Sequence, residues 1–270
     1  MQQKTYIALL RKYSTVWSIF AKNAVQETFV NRTSNILFMI GKTIRLIFSL
    51  LLLFLIRDTI TEFAGYTADQ LIVFFLTYQI IDLVTQVLYR GVYIFGNMVR
   101  SGDFDFLLTK PVNPLFTALV GKPDINDCIF LFPNLIIVGY ILSNLELGIT
   151  LWSSFLFVIL LCNAFLIATA LHILVLVVGI LTTEVDGVIW IYRDLSHMGR
   201  FPVSIYMQPL RFILFFLIPI GTMITIPTEV FLGIQPTYNL FLAFSIGIGS
   251  FFISLKAWNW ALKKYTSTGS

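Results

Sequence analysis

Charge is what this chain has least of. Only 12% of its 270 residues are Asp, Glu, Lys or Arg, about half the roughly 25% usual in soluble domains. Histidine is scarce as well: His172 and His197 are too few and too far apart to found a metal centre. The two cysteines, Cys128 and Cys162, sit in or beside apolar runs and give neither a disulfide framework nor metal-ligand spacing. No phosphate-binding loop is present. Gly41-Lys42-Thr43 has the ending of one, but Ile36 stands where its leading glycine is required, and the segment is apolar. Asp194, Ser196 and His197 crowd too closely to form a catalytic triad, and no nucleophile elbow surrounds them. These absences exclude a soluble enzyme and leave no catalytic residue, metal or cofactor to assign within the chain.

What is present is apolar. Hydrophobic residues make up 57% of the chain, with 26 phenylalanines and a mean hydropathy of +0.86, so the sequence describes an integral membrane protein with one membrane domain. Its net charge of +4 reflects topology rather than nucleic-acid binding. Residues 4–30 form an amphipathic helix, with Tyr6, Leu9, Leu10, Tyr13, Trp17, Phe20 and Ala24 opposite Arg11, Thr15, Ser18, Lys22 and Gln26. Basic residues facing aromatic ones are the pattern of a helix lying in the membrane interface. Apolar runs long enough to cross follow at about 36–56, 71–95, 129–145, 151–181 and 238–262. A further run, 212–233, is interrupted by Pro219 and Pro227 and reads as a half-span turning back near the outer surface. The expected fold is therefore an all-α integral membrane protein: six transmembrane helices, an N-terminal interfacial helix over 1–34, and a broken, re-entrant fifth span.

Polar residues stand out against this background. Gln79, Asp82, Gln86 and Arg90 recur along the second span as one stripe, which faces protein or water rather than lipid. Lys42 and Arg45 lie in the first span. A short loop joins the two spans, so the sequence predicts an Arg45–Asp82 ion pair, with Lys42 as the alternative partner. From Arg100 to Phe116 the chain turns polar. Gly102 and Pro111 bracket a short helix whose Phe104, Leu107 and Leu108 share one face. Ser101 or Asp103 is positioned to cap it, Asp105 suits the positive end of its dipole and Lys110 the negative end. An apolar face held outside the membrane suits docking; a solvated connecting loop fits the same residues.

Basic residues set the orientation. They gather before the first span, at about 97–127, at about 182–211 and at the C-terminus, while the opposite loops hold only Arg57. The positive-inside rule then places both termini and both long polar loops in the cytosol.

The run Val99-Arg100-Ser101-Gly102-Asp103-Phe104-Asp105-Phe106-Leu107-Leu108-Thr109-Lys110-Pro111-Val112 resembles the cytosolic loop of type-2 ATP-binding-cassette (ABC) permeases. Arg200-Phe201-Pro202-Val203-Ser204-Ile205-Tyr206, Leu210-Arg211, Ile218-Pro219 and Ile226-Pro227 add a second match in the same order. The resemblance covers nearly the whole chain. It implies a half-transporter without its own ATPase, spanning 35–264 and ending in a short tail at 265–270. Two permeases, identical or sister chains, would pair in a bacterial plasma membrane. Each would sit on a separate nucleotide-binding subunit that carries ATP and magnesium. Residues 1–34 would be the elbow helix, Pro219–Pro227 the outward re-entrant segment, and Gly102, Asp103, Phe104, Asp105, Leu107, Leu108, Lys110 and Pro111 the coupling helix. Members of the family mostly export their substrates; no substrate residue carries over. An ion-coupled secondary transporter would want paired halves or several buried carboxylates, and here Asp82 is the only acid deep in a span. A non-transporting membrane scaffold is a second alternative, disfavoured by the polar second span and the broken fifth.

Overall fold

The computed structural model describes residues 2–59, 61–182, 185–234 and 239–266. Helix α1 (Gln2–Val30) runs into α2 (Arg32–Thr59), and a hairpin of β1 (Glu62–Phe63) and β2 (Tyr66–Thr67) leads to α3 (Ala68–Arg100). Ala64 and Gly65 take φ values of 54° and 88°, the two left-handed residues that a tight hairpin turn requires. Thr67 then starts α3 through a capping box. Its hydroxyl accepts from the Gln70 N–H, and the Gln70 side chain accepts from the Thr67 N–H. There follow α4 (Asp103–Thr109), α5 (Pro114–Val120), α6 (Ile125–Ser143), α7 (Leu151–Thr182) and α8 (Asp186–His197). After two 3-10 turns come α9 (Leu210–Phe212), two π-helical turns (Ile213–Leu217 and Gly221–Thr225), α10 (Ile226–Phe231) and α11 (Asn239–Lys264). Five of these helices, α2, α3, α6, α7 and α11, are long and apolar enough to cross a membrane. Leu210–Leu217 and Gly221–Phe231 form a bent pair at 71°, so the all-α, six-span plan with a broken fifth segment is the fold. Tyr238, Thr183, Glu184 and residues 267–270, within stretches assigned from the sequence, lie outside the described residues.

α7 and α11 pack closely along their lengths. A Cβ added at Gly247 would sit 2.0 Å from Asn163 Oδ1, so only glycine admits the Asn163 side chain there. Asn163 Nδ2 in turn donates to the Ala243 carbonyl, one turn away, at 2.9 Å. Ala243 and Gly247, small residues one turn apart in α11, thus form a packing face against α7. α3, also central, has 33 residues and reaches about 50 Å at 1.5 Å per residue, well beyond the ~30 Å hydrocarbon core. Its regular dihedrals break at Tyr89 (φ −111°, ψ 24°). Two residues earlier, the Val87 carbonyl accepts from Asp124 N–H, just ahead of α6. The last third of α3, from the kink to Arg100, is overlaid by α5 and the start of α8 and leads into α4.

Of the segment 182–211, expected to be a second cytosolic loop, the described residues 185–211 are placed otherwise. Val185 is fully buried against Gly96 and Gly179, at the Arg100 end of α3. The Trp190 ring lies 6.5 Å from Tyr93, and His197 lies 6.0 Å from Tyr78. Phe201 packs on Tyr66, Leu71 and Phe74, and Ser204 Oγ is 2.8 Å from Tyr66 Oη. Residue numbers rise along this segment while those of its partners fall, so it runs antiparallel to α3 over nearly the full span. α8 thus carries the chain back along α3 from its Arg100 end and forms the first arm of the broken fifth segment. A 12-residue helix carrying Arg193, Asp194 and His197 is too short and too charged to register as a span. Arg200 and Arg211 accordingly leave the basic residues grouped at the Arg100 end of α3, where Arg193, over Tyr93, remains with those before α2, on the α4–α5 region and at the end of α11.

The bent pair then dips and returns. Ile220 and Ile224 reach Gly199, Val203 N–H donates to Thr225 Oγ1 at 3.0 Å, and Phe231 comes back out against Phe157 at 4.6 Å. Of the two expected breaks, Pro219 makes the bend: the residue before it, Ile218, is driven out of the helical region (φ −120°, ψ 80°). Pro227 lies instead in the first turn of α10, where a missing N–H is tolerated, so it does not interrupt the returning arm.

Candidate coupling site

The short helix α4 is joined to the far end of α3 by a two-residue elbow. Ser101 N–H donates to Asn97 O at 2.9 Å, closing α3, and Gly102 takes φ 79°. That left-handed residue lets one helix turn directly into the next, and it occupies the N-cap position expected for Ser101 or Asp103. No side chain caps the helix; Ser101 Oγ donates instead to Asp103 Oδ2 at 2.7 Å. Asp103 and Asp105 occupy the first turn, where the helix dipole favours them. Lys110 is extended and closes the helix, with Pro111 behind it.

The apolar face of α4 is turned inward. Phe104 is completely buried, its ring edge-on to Phe95 at 5.1 Å and Tyr265 at 5.1 Å, with Trp258 at 6.3 Å. Leu107 joins the same cluster. The expectation that Phe104 and Leu107 present themselves to a partner is thereby corrected: the ends of α3 and α11 already cover them. The outward face carries Phe106, 70% exposed, with Asp103 and Lys110 beside it, while Leu108, 39% exposed, lies on the opposite flank at the edge of the inward face. Burial and the neighbouring Asp105 carboxylate push the Tyr265 phenol up to about 12, so it remains a neutral packing group beneath the helix.

α1 braces the unit from the side. Lys12 Nζ donates to the Pro111 carbonyl, Tyr13 packs edge-on against Phe116 at 4.8 Å, and Lys122 pairs with Glu27 at 2.7 Å. Asn113 caps α5, accepting from Leu115 N–H at 2.8 Å. A Cβ at Gly91 would meet the Ala118 carbonyl at 2.8 Å, which shows how closely α5 lies on α3.

The intramembrane charges are arranged differently from the expectation. Lys42 pairs with Asp127 at the start of α6, not with Asp82, and Arg90 pairs with Asp124 at 3.5 Å. Among the described residues no Arg45–Asp82 contact falls within ion-pair distance. Both line one small cavity with Tyr78, Gln79 and Arg200, and Asp82 Oδ1 accepts from Gln86 Nε2 at 3.4 Å. The neighbourhood of the two spans was readable from their short loop. The arrival of α6, bringing Asp124 and Asp127 to the cations, was not. Sequence reasoning also missed the outer-end cluster in which the Tyr66 hydroxyl donates to buried Glu229 at 2.6 Å; nothing in the spacing joins residues so far apart.

Fold and site together define a class: a multi-pass α-helical membrane protein that holds a short helix rigidly beyond its spans. The family model described as ABC-2 family transporter protein matches residues 43–269, and the chain belongs to that family. It is thus the membrane component of a transporter and not itself a catalyst. No curated protein matches it.

Proposed function

We propose that this chain is the permease subunit of an ATP-driven exporter in a bacterial plasma membrane, with both termini cytosolic. Two permeases, identical or sister chains, enclose the path. Each docks through α4 on a separate nucleotide-binding subunit that binds ATP and magnesium. The observation carrying this reading is the two-sidedness of α4. Its inner face is fixed to α3 and α11 through Phe104 and Leu107, while Phe106 stands 70% exposed on the outer face and Leu108 is partly exposed at the flank. An exposed aromatic ringed by charge is the composition of an interface anchor, with the charges setting orientation more than affinity.

The test is co-purification of the nucleotide-binding subunit with the Phe106→Ala/Leu108→Ala permease, beside a monodispersity check. Loss of each anchor costs about 1–2 kcal/mol of binding, so retention falls by roughly tenfold or more. A monodisperse double variant that binds and stimulates the ATPase like wild type sinks the assignment of α4.

A further inference from the structure

Cations outnumber carboxylates along the faces that α2, α3 and the segment from α8 to Arg200 turn toward one another. Lys42 and Arg90 are matched by Asp127 and Asp124. Arg45, Arg193 and Arg200 have no carboxylate within ion-pair distance among the described residues. Arg45, Asp82 and Arg200 line one cavity with Tyr78, and the His197 ring lies 6.0 Å from Tyr78. Arg200 lies over the Tyr78 ring at 5.3 Å; Arg193 lies over Tyr93 at 5.9 Å and Trp190 at 5.1 Å. The Nε atoms of Arg193 and Arg200 are buried without a hydrogen-bond partner. Tyr93 and Tyr78 are about 22 Å apart along α3 at 1.5 Å per residue, so the two arginines form a ladder from beyond the Tyr89 kink to mid-span. The cavity shared by Arg45, Asp82 and Arg200 measures ≈ 20 Å³, room for about one water, so the upper rung is closed in this structure. Arg45 is exposed on the single chain.

Charged side chains at this depth face protein or a water-filled path and need a countercharge. Asp82 is one carboxylate against three guanidinium groups. Their planar donor forks match the oxygens of an oxyanion. We propose that this face binds an oxyanionic group of the transported substrate, phosphate being its simplest form, and that the arginines guide it from the inner membrane surface toward the bilayer centre. The inference rests on the permease reading and names the substrate class of that path.

Binding is measured on the full chain alone in phosphatidylcholine nanodiscs, so that failure of ATPase docking does not enter. The probes are dioctanoyl phosphatidic acid, inorganic phosphate and, as a zwitterionic control, dioctanoyl phosphatidylcholine. Wild type is expected to prefer an anionic probe, Arg193→Gln/Arg200→Gln to bind it about tenfold more weakly or worse, and Asp82→Asn to bind it more tightly. Arg193→Lys/Arg200→Lys, which keeps both charges but loses the planar forks, binds between wild type and the glutamine variant and controls for folding. Preference for phosphatidic acid alone identifies a lipid headgroup; binding of inorganic phosphate as well identifies a soluble phosphate-bearing substrate. The proposal is overturned if wild type shows no preference over phosphatidylcholine. Anionic binding that does not respond to the glutamine substitutions overturns it too. If binding behaves as expected while the α4 variant still holds the ATPase, only the coupling assignment falls.

Discussion

Phe104 and Phe106 carry the same side chain two positions apart, and the structure gives them opposite roles. Phe104 is completely buried among Phe95, Trp258 and Tyr265. Truncating it to alanine removes a core aromatic and leaves a cavity, a loss of about 3–5 kcal/mol. Part of that is its edge-on ring contacts, each about 0.5–1.5 kcal/mol beyond burial. For a chain of this size roughly 2–4 °C is lost per kcal/mol, so the melting temperature falls by on the order of 10 °C. Phe106 is 70% exposed; its truncation changes stability by no more than about 0.5 kcal/mol and instead weakens the ATPase complex by about 1–2 kcal/mol.

The assay is a pair of measurements on each single variant in detergent: thermal unfolding followed by size-exclusion chromatography, and retention of the nucleotide-binding subunit. Phe104→Ala melts early, and Phe106→Ala melts as wild type but retains less partner. The reasoning is refuted if Phe104→Ala melts like wild type and sheds the ATPase, because Phe104 would then be the anchor and the inward face of α4 the docking face.

Breaking the Lys42–Asp127 pair by Lys42→Met strands a buried carboxylate and costs about 3–5 kcal/mol, while Lys42→Met/Asp127→Leu recovers much of the loss; thermal melts of both variants check this. Arg45→Gln and Asp82→Asn, which remove no direct pair, couple more weakly in the same kind of cycle than Lys42 and Asp127 do. Gly247→Ala drives a methyl group into Asn163 and destabilises the α7–α11 contact by about 1–3 kcal/mol, read as an earlier melt. With Cys128 and Cys162 replaced by serine, Met207→Cys, at a residue 85% exposed, reacts with an impermeant thiol reagent from outside, as Asn144→Cys does, while Ser101→Cys does not. A Met207→Cys that stays protected from outside but reacts in inside-out vesicles would return 182–211 to the cytosol.

The long spans were legible because α2, α3, α6, α7 and α11 each carry an apolar stretch sufficient to cross on its own. α8 was not, because its burial depends on neighbours. The rings of Tyr78, Tyr93 and His172 receive a segment whose own charges suggest solvent. Periodicity likewise found the apolar face of α4 from Phe104, Leu107 and Leu108, but a helical period does not say what lies against the face. The chain's own Trp258 and Tyr265, far away in sequence, reach Phe104. Capping preferences pointed to Ser101 or Asp103 because they describe helices entered from extended chain. Here α3 turns straight into α4, and the position calls for φ 79°, which glycine supplies without strain.

The bracing around α4 bears on how an ATPase would drive the path. Phe104 ties the helix to α3 and to the end of α11, Gly91 seats α5 on α3, and Lys12, Tyr13 and the Glu27–Lys122 pair hold α1 to the same unit. A push on the outer face of α4 therefore moves the inner ends of three helices together. α3 is kinked at Tyr89, and the kink divides the face that meets α8. Tyr93, which carries Arg193, lies on the α4 side; Tyr78, which carries Arg200, lies on the far side. On the proposed reading, displacement of α4 is absorbed at Tyr89, so the lower arginine shifts relative to the upper one while Arg200 stays packed. Straightening that hinge while leaving α4 intact should then uncouple ATP hydrolysis from transport without loosening the ATPase.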